Sequence, residues 1–161
     1  VSPAGFAART QKEAIDLAGA VTSVTHNHEE GIKGAQATAV AVYLARRGCR
    51  KSEIRERIGA YYPLDFTIDE IRDTYTFDAT CQQTVPQAIQ AFLESTSFED
   101  TIRTAVSVGG DSDTIAAITG AVAEAYYGVP DDIRSKALGY LDAELRAIYD
   151  AWEAFMIGRE G

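Results

Sequence analysis

Apolar residues along this chain recur at three- and four-residue intervals, not on alternate positions, so the sequence predicts helices and loops without strands. Thr10-Gln11-Lys12-Glu13 has the form of a capping box and opens a helix running to about Val24. A second helix is expected from about Glu30 to Arg47. Its Ala35, Ala37, Ala39, Ala41 and Ala45 are small enough to let a neighbouring helix approach closely, and Gly48 is placed to stop it. Ser52 is expected to cap a third helix ending near Tyr62-Pro63. Thr67-Ile68-Asp69-Glu70 repeats the capping-box pattern ahead of a short helix, and Asp73 to Thr84 reads as a loop. Pro86 suits the first turn of a helix reaching Glu94, and Ser97 caps the helix that leads to Gly109. The next helix runs from Ser112 to Tyr127. Its Ile115, Ile118, Val122 and Ala125 lie at helical spacing, so it is expected to be central and buried. Gly128-Val129-Pro130 breaks it, and two further helices carry the chain to about Ile157. In the last of them Tyr149, Trp152 and Phe155 recur at helical spacing and read as core or interface. With no internal repeat, low-complexity tract or linker, the 161 residues are expected to form one all-α domain with a sizeable core.

Composition narrows the partners. A net charge of -9 disfavours a nucleic-acid backbone and equally an anionic membrane surface. No apolar run approaches the roughly 18 residues of a membrane span, and no secretory signal is legible. The two cysteines, Cys49 and Cys81, lack metal-type spacing and are too few for a disulfide scaffold. They are expected to be free thiols in a reducing cytoplasm.

The chemistry concentrates in Gly109-Gly110-Asp111-Ser112-Asp113-Thr114, at the start of the buried helix. Two carboxylates stand two residues apart, a hydroxyl follows, and no Lys or Arg occurs between Arg103 and Arg134. Hard cations such as Mg²⁺ take oxygen ligands of this kind, and the helix dipole favours negative charge there. Helix capping is the competing account, since Asp and Ser are common N-caps. An EF-hand loop is excluded because Ala116 and Val122 occupy the positions that require Gly and Glu. A phosphate-cradling P-loop is excluded because no Gly-Lys-Ser/Thr occurs.

Two further places carry candidate chemistry. His26 and His28, the only histidines, fall in the turn between two long helices, where binding residues often sit. Two residues apart, they do not share a helix face, so a two-His zinc site on a helix is not expected. The alternative is a histidine whose ring caps the next helix. The loop Tyr75-Thr76-Phe77-Asp78-Ala79-Thr80-Cys81 offers either a stacking face for a base or satellite core. Cys81 has no activating base legible beside it and is not expected to act as a nucleophile.

The Gly-Gly-Asp-Ser-Asp-Thr block with its following Ile-Ala-Ala-Ile-Thr-Gly-Ala resembles the C-terminal signature of the ADP-ribosylglycohydrolase family. Thr25-His26-Asn27-His28-Glu29-Glu30-Gly31-Ile32-Lys33-Gly34-Ala35 and Cys81-Gln82-Gln83-Thr84-Val85-Pro86-Gln87-Ala88 agree in order and spacing. The resemblance implies an all-α, compact multi-helix orthogonal bundle of which this chain is the C-terminal half. It also implies a magnesium-dependent hydrolase, with a pair of Mg²⁺ ions, that cleaves ADP-ribose from a protein side chain or small molecule. Asp111, Asp113 and Thr114 would be its C-terminal metal ligands, and His26 or His28 would border the ADP-ribose pocket. Glu29 stands where proline is usual in the family, which leaves that turn less rigid. The family's N-terminal Thr-Asp-Asp cluster has no counterpart here, Pro130-Asp131-Asp132 reading as the start of a surface helix. Its diphosphate-holding Gly/Ser loop would precede Val1. A missing N-terminal half, as part of the same protein or as a separate chain, is therefore the expected partner, and the general acid/base is expected to lie in it. The rival reading is a non-catalytic ADP-ribose or nucleotide-binding module.

Overall fold

The computed structural model describes residues 1–160, and they form helices and loops with no strand among them. The helices are α1 (Ser2–Ala7), α2 (Gln11–Ser23), α3 (Glu29–Arg46), α4 (Lys51–Gly59) and α5 (Ile68–Arg72). They continue as α6 (Cys81–Glu94), α7 (Phe98–Ser107), α8 (Ser112–Tyr127), α9 (Asp131–Leu138) and α10 (Ala143–Glu160). They make two compact units, Val1–Gly128 and a second beginning at Val129. Among the described residues no helix is long and apolar enough to cross a membrane.

In the first unit α3 is the central rod. Its Ala37, Val40, Ala41 and Val42 are fully buried, and it packs on α1, α2, α4, α6 and α8. The expected close approach at its alanines occurs against α1 and α2. Ala4, Ala8, Ala14 and Ala18 meet Ala35 and Ala39 there in a cluster whose buried members are all alanine, with Tyr43 packed against it. Gly5 of α1 lies so close that a Cβ on it would sit 2.5 Å from the Ala39 carbonyl oxygen. As expected, α8 is central: Ile115 and Val122 are fully buried, and Ile118 and Ala125 are half-buried against the core.

Local caps account for most helix starts. The Thr10 hydroxyl accepts the Glu13 N–H at 3.1 Å, though the Glu13 carboxylate returns to the Arg9 N–H, one residue ahead of a standard box. Thr67 and Glu70 form the full reciprocal box, and Ser97 accepts the Asp100 N–H. Ser52 is not the cap of α4. The helix opens two residues earlier behind Arg50, because the Glu53 carboxylate accepts the Arg50 N–H at 2.8 Å, and it ends at Gly59. α6 likewise begins at Cys81, so Pro86 lies inside it. Asp78 turns the chain by accepting the Thr80 N–H at 2.7 Å, and the Tyr75 hydroxyl donates to the Gln83 carbonyl at 2.7 Å near the point where proline withholds its donor.

The other end of α6 is closed from a distance. Lys51 Nζ donates to the Phe92 carbonyl at 2.7 Å and to those of Leu93 and Ser95, a cation on a helix C-terminus. It also stands 4.8 Å from the centre of the Phe92 ring. Lys51→Met is expected to cost about 1 kcal/mol, since it keeps the stem but removes the cation from the α6 C-terminus, while the Phe92 carbonyl keeps the Ser95 hydroxyl and the Ser95 carbonyl keeps the Tyr127 hydroxyl as donors. Thermal denaturation checks this, and an unchanged melting temperature would refute it.

In the second unit α9 opens behind Pro130 with Asp131 and Asp132 exposed in its first turn, the surface helix start expected of them. Arg134 donates to the Tyr149 hydroxyl and pairs with Glu153 at 3.7 Å, and the Trp152 and Phe155 rings lie 5.6 Å apart on α10.

Candidate functional site

The turn between α7 and α8 is made by two glycines in left-handed conformations, φ 79° at Gly109 and 58° at Gly110, which other residues adopt only with strain. Asp111 follows at the N-cap position of α8, yet its carboxylate makes no cap hydrogen bond; only its carbonyl enters the helix, accepting the Ile115 N–H at 3.0 Å. Capping therefore does not account for the Asp111 side chain. Asp113 is exposed and its carboxylate accepts the Thr114 N–H at 3.0 Å. A hydrogen bond from the Asp111 carboxyl, then the Thr114 amide, holds Asp113 below the usual carboxylate range. Among the described residues neither carboxylate is met by Lys or Arg in an ion pair.

Thr114 faces a cavity of about 570 Å³ whose other walls include Val21 and Thr22 at the end of α2, His26 in the turn, Gly34 on α3 and Cys81 at the start of α6. The structure thus brings Thr114 and His26 to one cavity, with Asp111 at the N-cap and Asp113 in the first turn of the same helix. The structure places the two histidines differently. His26 is exposed at the cavity wall, its Nδ1 2.8 Å from the Thr25 hydroxyl. His28 caps α3, its Nδ1 accepting the Glu30 N–H at 3.2 Å.

Thr22 was not visible as a site residue in the sequence. It is buried at 8% exposure on the cavity wall, and its hydroxyl has no hydrogen-bond partner among the described residues. Such a group is satisfied by whatever fills the cavity. Nothing in the local pattern marks it, because a Thr near a helix end is common.

Cys81 shares that wall. Burial, then the nearby Glu30 charge, pushes its thiol up from the ordinary range, so the thiolate is disfavoured at neutral pH. A nucleophilic Cys81 is thus not supported. Iodoacetamide is expected to label Cys81 slowly at neutral pH, the rate climbing only above the ordinary thiol range. Peptide mass spectrometry checks this, and labelling at neutral pH as fast as in the unfolded chain would overturn it.

The aromatic residues of the loop 73–80 lie in different surroundings. Tyr75 joins the cluster of Ile68, Val108 and Ile115 as satellite core, whereas Phe77 is 70% exposed. The acidic motif offers two carboxylates and a hydroxyl, all hard oxygen donors. Among the described residues no group of three or more His, Cys, Asp or Glu is assembled for a metal. Mg²⁺ takes six oxygens and keeps several waters. The residues therefore fit one share of a Mg²⁺ site.

Over residues 1–158 the chain matches the ADP-ribosylglycohydrolase family model. It is 30% identical over 115 residues to ADP-ribosylarginine hydrolase Tri1 of Pseudomonas putida (strain GB-1), covering 67% of this chain and 31% of that protein. It is 37% identical over 70 residues to ADP-ribosylhydrolase ARH3 of Homo sapiens, covering 42% of this chain and 18% of that one. A solved structure of an ADP-ribosylglycohydrolase-related protein complex superimposes with a TM-score of 0.69 at 24% identity. That superposition covers 93% of this chain and 54% of the other, which shows the fold and shows that the chain spans about half the length of that relative.

Proposed function

The chain belongs to the ADP-ribosylglycohydrolase family, and from that premise we propose that it forms one share of a magnesium-dependent site that hydrolyses ADP-ribose from a modified protein or small molecule. The observation that carries the reading is the Asp111 carboxylate, set at a helix start without capping the helix and without a cationic partner. Asp111, Asp113 and the Thr114 hydroxyl would hold Mg²⁺. When bound, the ion supplies Lewis acidity and orients oxygens around the glycosidic bond. The chain's own residues shape what lies beside it. His26 presents a ring to the cavity as a hydrogen-bonding group for the ligand, and Thr22 offers an unspent hydroxyl. The mostly apolar walls around Val21, Val85 and Ile118 offer apolar contact to the bound portion. The remaining metal ligands and the general acid/base that glycosidic cleavage needs would come from residues outside this sequence, as a further part of the protein or as a partner chain.

A non-catalytic ADP-ribose-binding module is the second reading, favoured by the lack of a complete acidic cluster among the described residues. Release of ADP-ribose from a modified peptide separates the two. The 161-residue chain alone is expected to give under about 1% of the rate of the completed protein, because a misplacement of about 1 Å can cost 10²-fold. Full turnover by this chain, shown free of a second polypeptide, would refute the shared site. Binding without turnover in either form would support the module.

The histidines give a separate test. His26→Ala is expected to weaken ADP-ribose binding by about 10-fold, one hydrogen bond's worth, with the melting temperature unchanged. His28→Ala should do the reverse, losing the α3 cap at about 1 kcal/mol while keeping affinity. Normal binding in both variants would remove the histidines from the ligand site.

A further inference from the structure

The Gly109–Asp111 turn has no side-chain cap of its own, so something else must hold it. Opposite Gly110 lies the ring of Tyr75. A Cβ on Gly110 would meet Tyr75 Cε1 at 2.5 Å and Cδ1 at 3.0 Å, with the Thr76 carbonyl oxygen at 3.2 Å. The ring therefore rests directly on the glycine backbone, an approach only glycine permits. Tyr75 is itself fixed at three points. Its N–H donates to the Ile71 carbonyl at 2.8 Å, its hydroxyl donates to the Gln83 carbonyl at 2.7 Å, and its side chain packs on the cluster of Ile68, Val108 and Ile115. α5, α6 and the α7–α8 turn are thus joined through one side chain. Satellite core alone would not require the ring to lie against a left-handed glycine immediately ahead of Asp111.

On the reading of Asp111 as a metal ligand, we infer that Tyr75 is a positioning residue: its ring clamps Gly110 and thereby aims the Asp111 carboxylate. The hydroxyl anchors the ring to α6, and the Cδ1–Cε1 side of the ring does the clamping. Groups that orient a ligand in this way commonly change metal affinity by about 10–100-fold when removed. Burial, followed by the Asp78 charge, raises the Tyr75 phenol, so the ring beside the carboxylates stays neutral through the physiological range.

The test uses the 161-residue chain, titrated with Mg²⁺ by calorimetry, with ¹⁵N relaxation at Gly110 and Asp111 and the melting temperature recorded for each variant. Tyr75→Leu keeps an apolar group but removes the ring. It is expected to weaken Mg²⁺ binding by about 10-fold or more and to raise the mobility of the Gly110 and Asp111 amides in a protein that still melts cooperatively. Tyr75→Phe retains the clamp and should restore both towards wild type. A folded Tyr75→Leu protein with wild-type amide order at the turn and wild-type affinity would overturn the inference. Should that variant not fold, Gly110→Ala drives a methyl into the same contact, and wild-type order and affinity there would overturn it equally. Asp111→Ala separates the two claims. If it binds Mg²⁺ as tightly as wild type, the metal reading fails, while the amide mobility still decides whether Tyr75 holds the turn.

Discussion

Replacing Asp111 and Asp113 together by Ala is expected to abolish calorimetrically detectable Mg²⁺ binding while leaving the melting temperature unchanged or slightly raised. The two halves of that result come from the same geometry. Groups that merely orient ligands are worth about 10–100-fold in affinity, so loss of both ligating carboxylates should exceed about 100-fold. Stability should not follow, because the Asp111 carboxylate caps nothing and Asp113 is exposed with only local partners, the Asp111 carboxyl and the Thr114 amide. Removing two like charges relieves some repulsion but gives up the hydrogen bond between the two carboxyls, and losing negative charge at the α8 N-terminus costs a few tenths of a kcal/mol to about 1 kcal/mol of dipole stabilisation. These nearly cancel. Single Asn variants refine the reading, since Asn can still cap a helix but brings no charge. Unchanged Mg²⁺ binding in the double variant would end the metal assignment. A fall in melting temperature of many degrees, with binding already weak in the wild type, would return the motif to capping.

The acidic motif stands out in the sequence because its signal is local. Two carboxylates two residues apart behind paired glycines, with no basic residue nearby, have few structural uses, and the geometry leaves Asp111 uncommitted. What sequence could not do was separate His26 from His28. Which ring turns back to cap α3 depends on the extended backbone at His28, φ -124° and ψ 144°, which the composition of the turn does not dictate. Thr22 was invisible for a related reason. Its hydroxyl is informative only because neighbouring elements bury it at a cavity wall, a property of packing and not of spacing.

The fold shows the same division. Boundaries set by a neighbouring side chain, such as the Thr67 and Ser97 caps, follow from pattern. Boundaries set by partners elsewhere do not. Pro86 reads as a first-turn residue, yet α6 extends ahead of it because the loop supplies Asp78 and Tyr75 to the turn and first residues. α1, six residues long, could not be stable alone and exists because Gly5 lets it lie on α3. Lys51 closes α6 from 41 residues away, beyond any local window.

Phe92→Ala is expected to give the converse of the Asp111/Asp113 result, a large loss of stability without a loss of site. Phe92 is fully buried near the end of α6, with Tyr126 at 5.3 Å and Tyr127 at 6.2 Å in edge-on contact and the Lys51 ammonium 4.8 Å from its centre. Truncation leaves a cavity that two tyrosines on one helix cannot both close, and such changes cost about 3–5 kcal/mol. Against a typical total of about 5–15 kcal/mol, the melting temperature should fall on the order of 10 °C. Phe92→Leu, which keeps most of the volume, should lose less than half as much. The residue lies about 16 Å along α6 from Cys81 at the cavity. Below its lowered midpoint, Phe92→Ala should therefore bind Mg²⁺ as the wild type does. Weakened binding in the folded variant would mean that the aromatic cluster, and not only Tyr75 and the glycine turn, sets the geometry at Asp111. An unchanged melting temperature would mean that α8 shifts to close the gap. The buried Thr119 hydroxyl opposes such a shift, since it bonds the Ala88 carbonyl across to α6 at 3.0 Å.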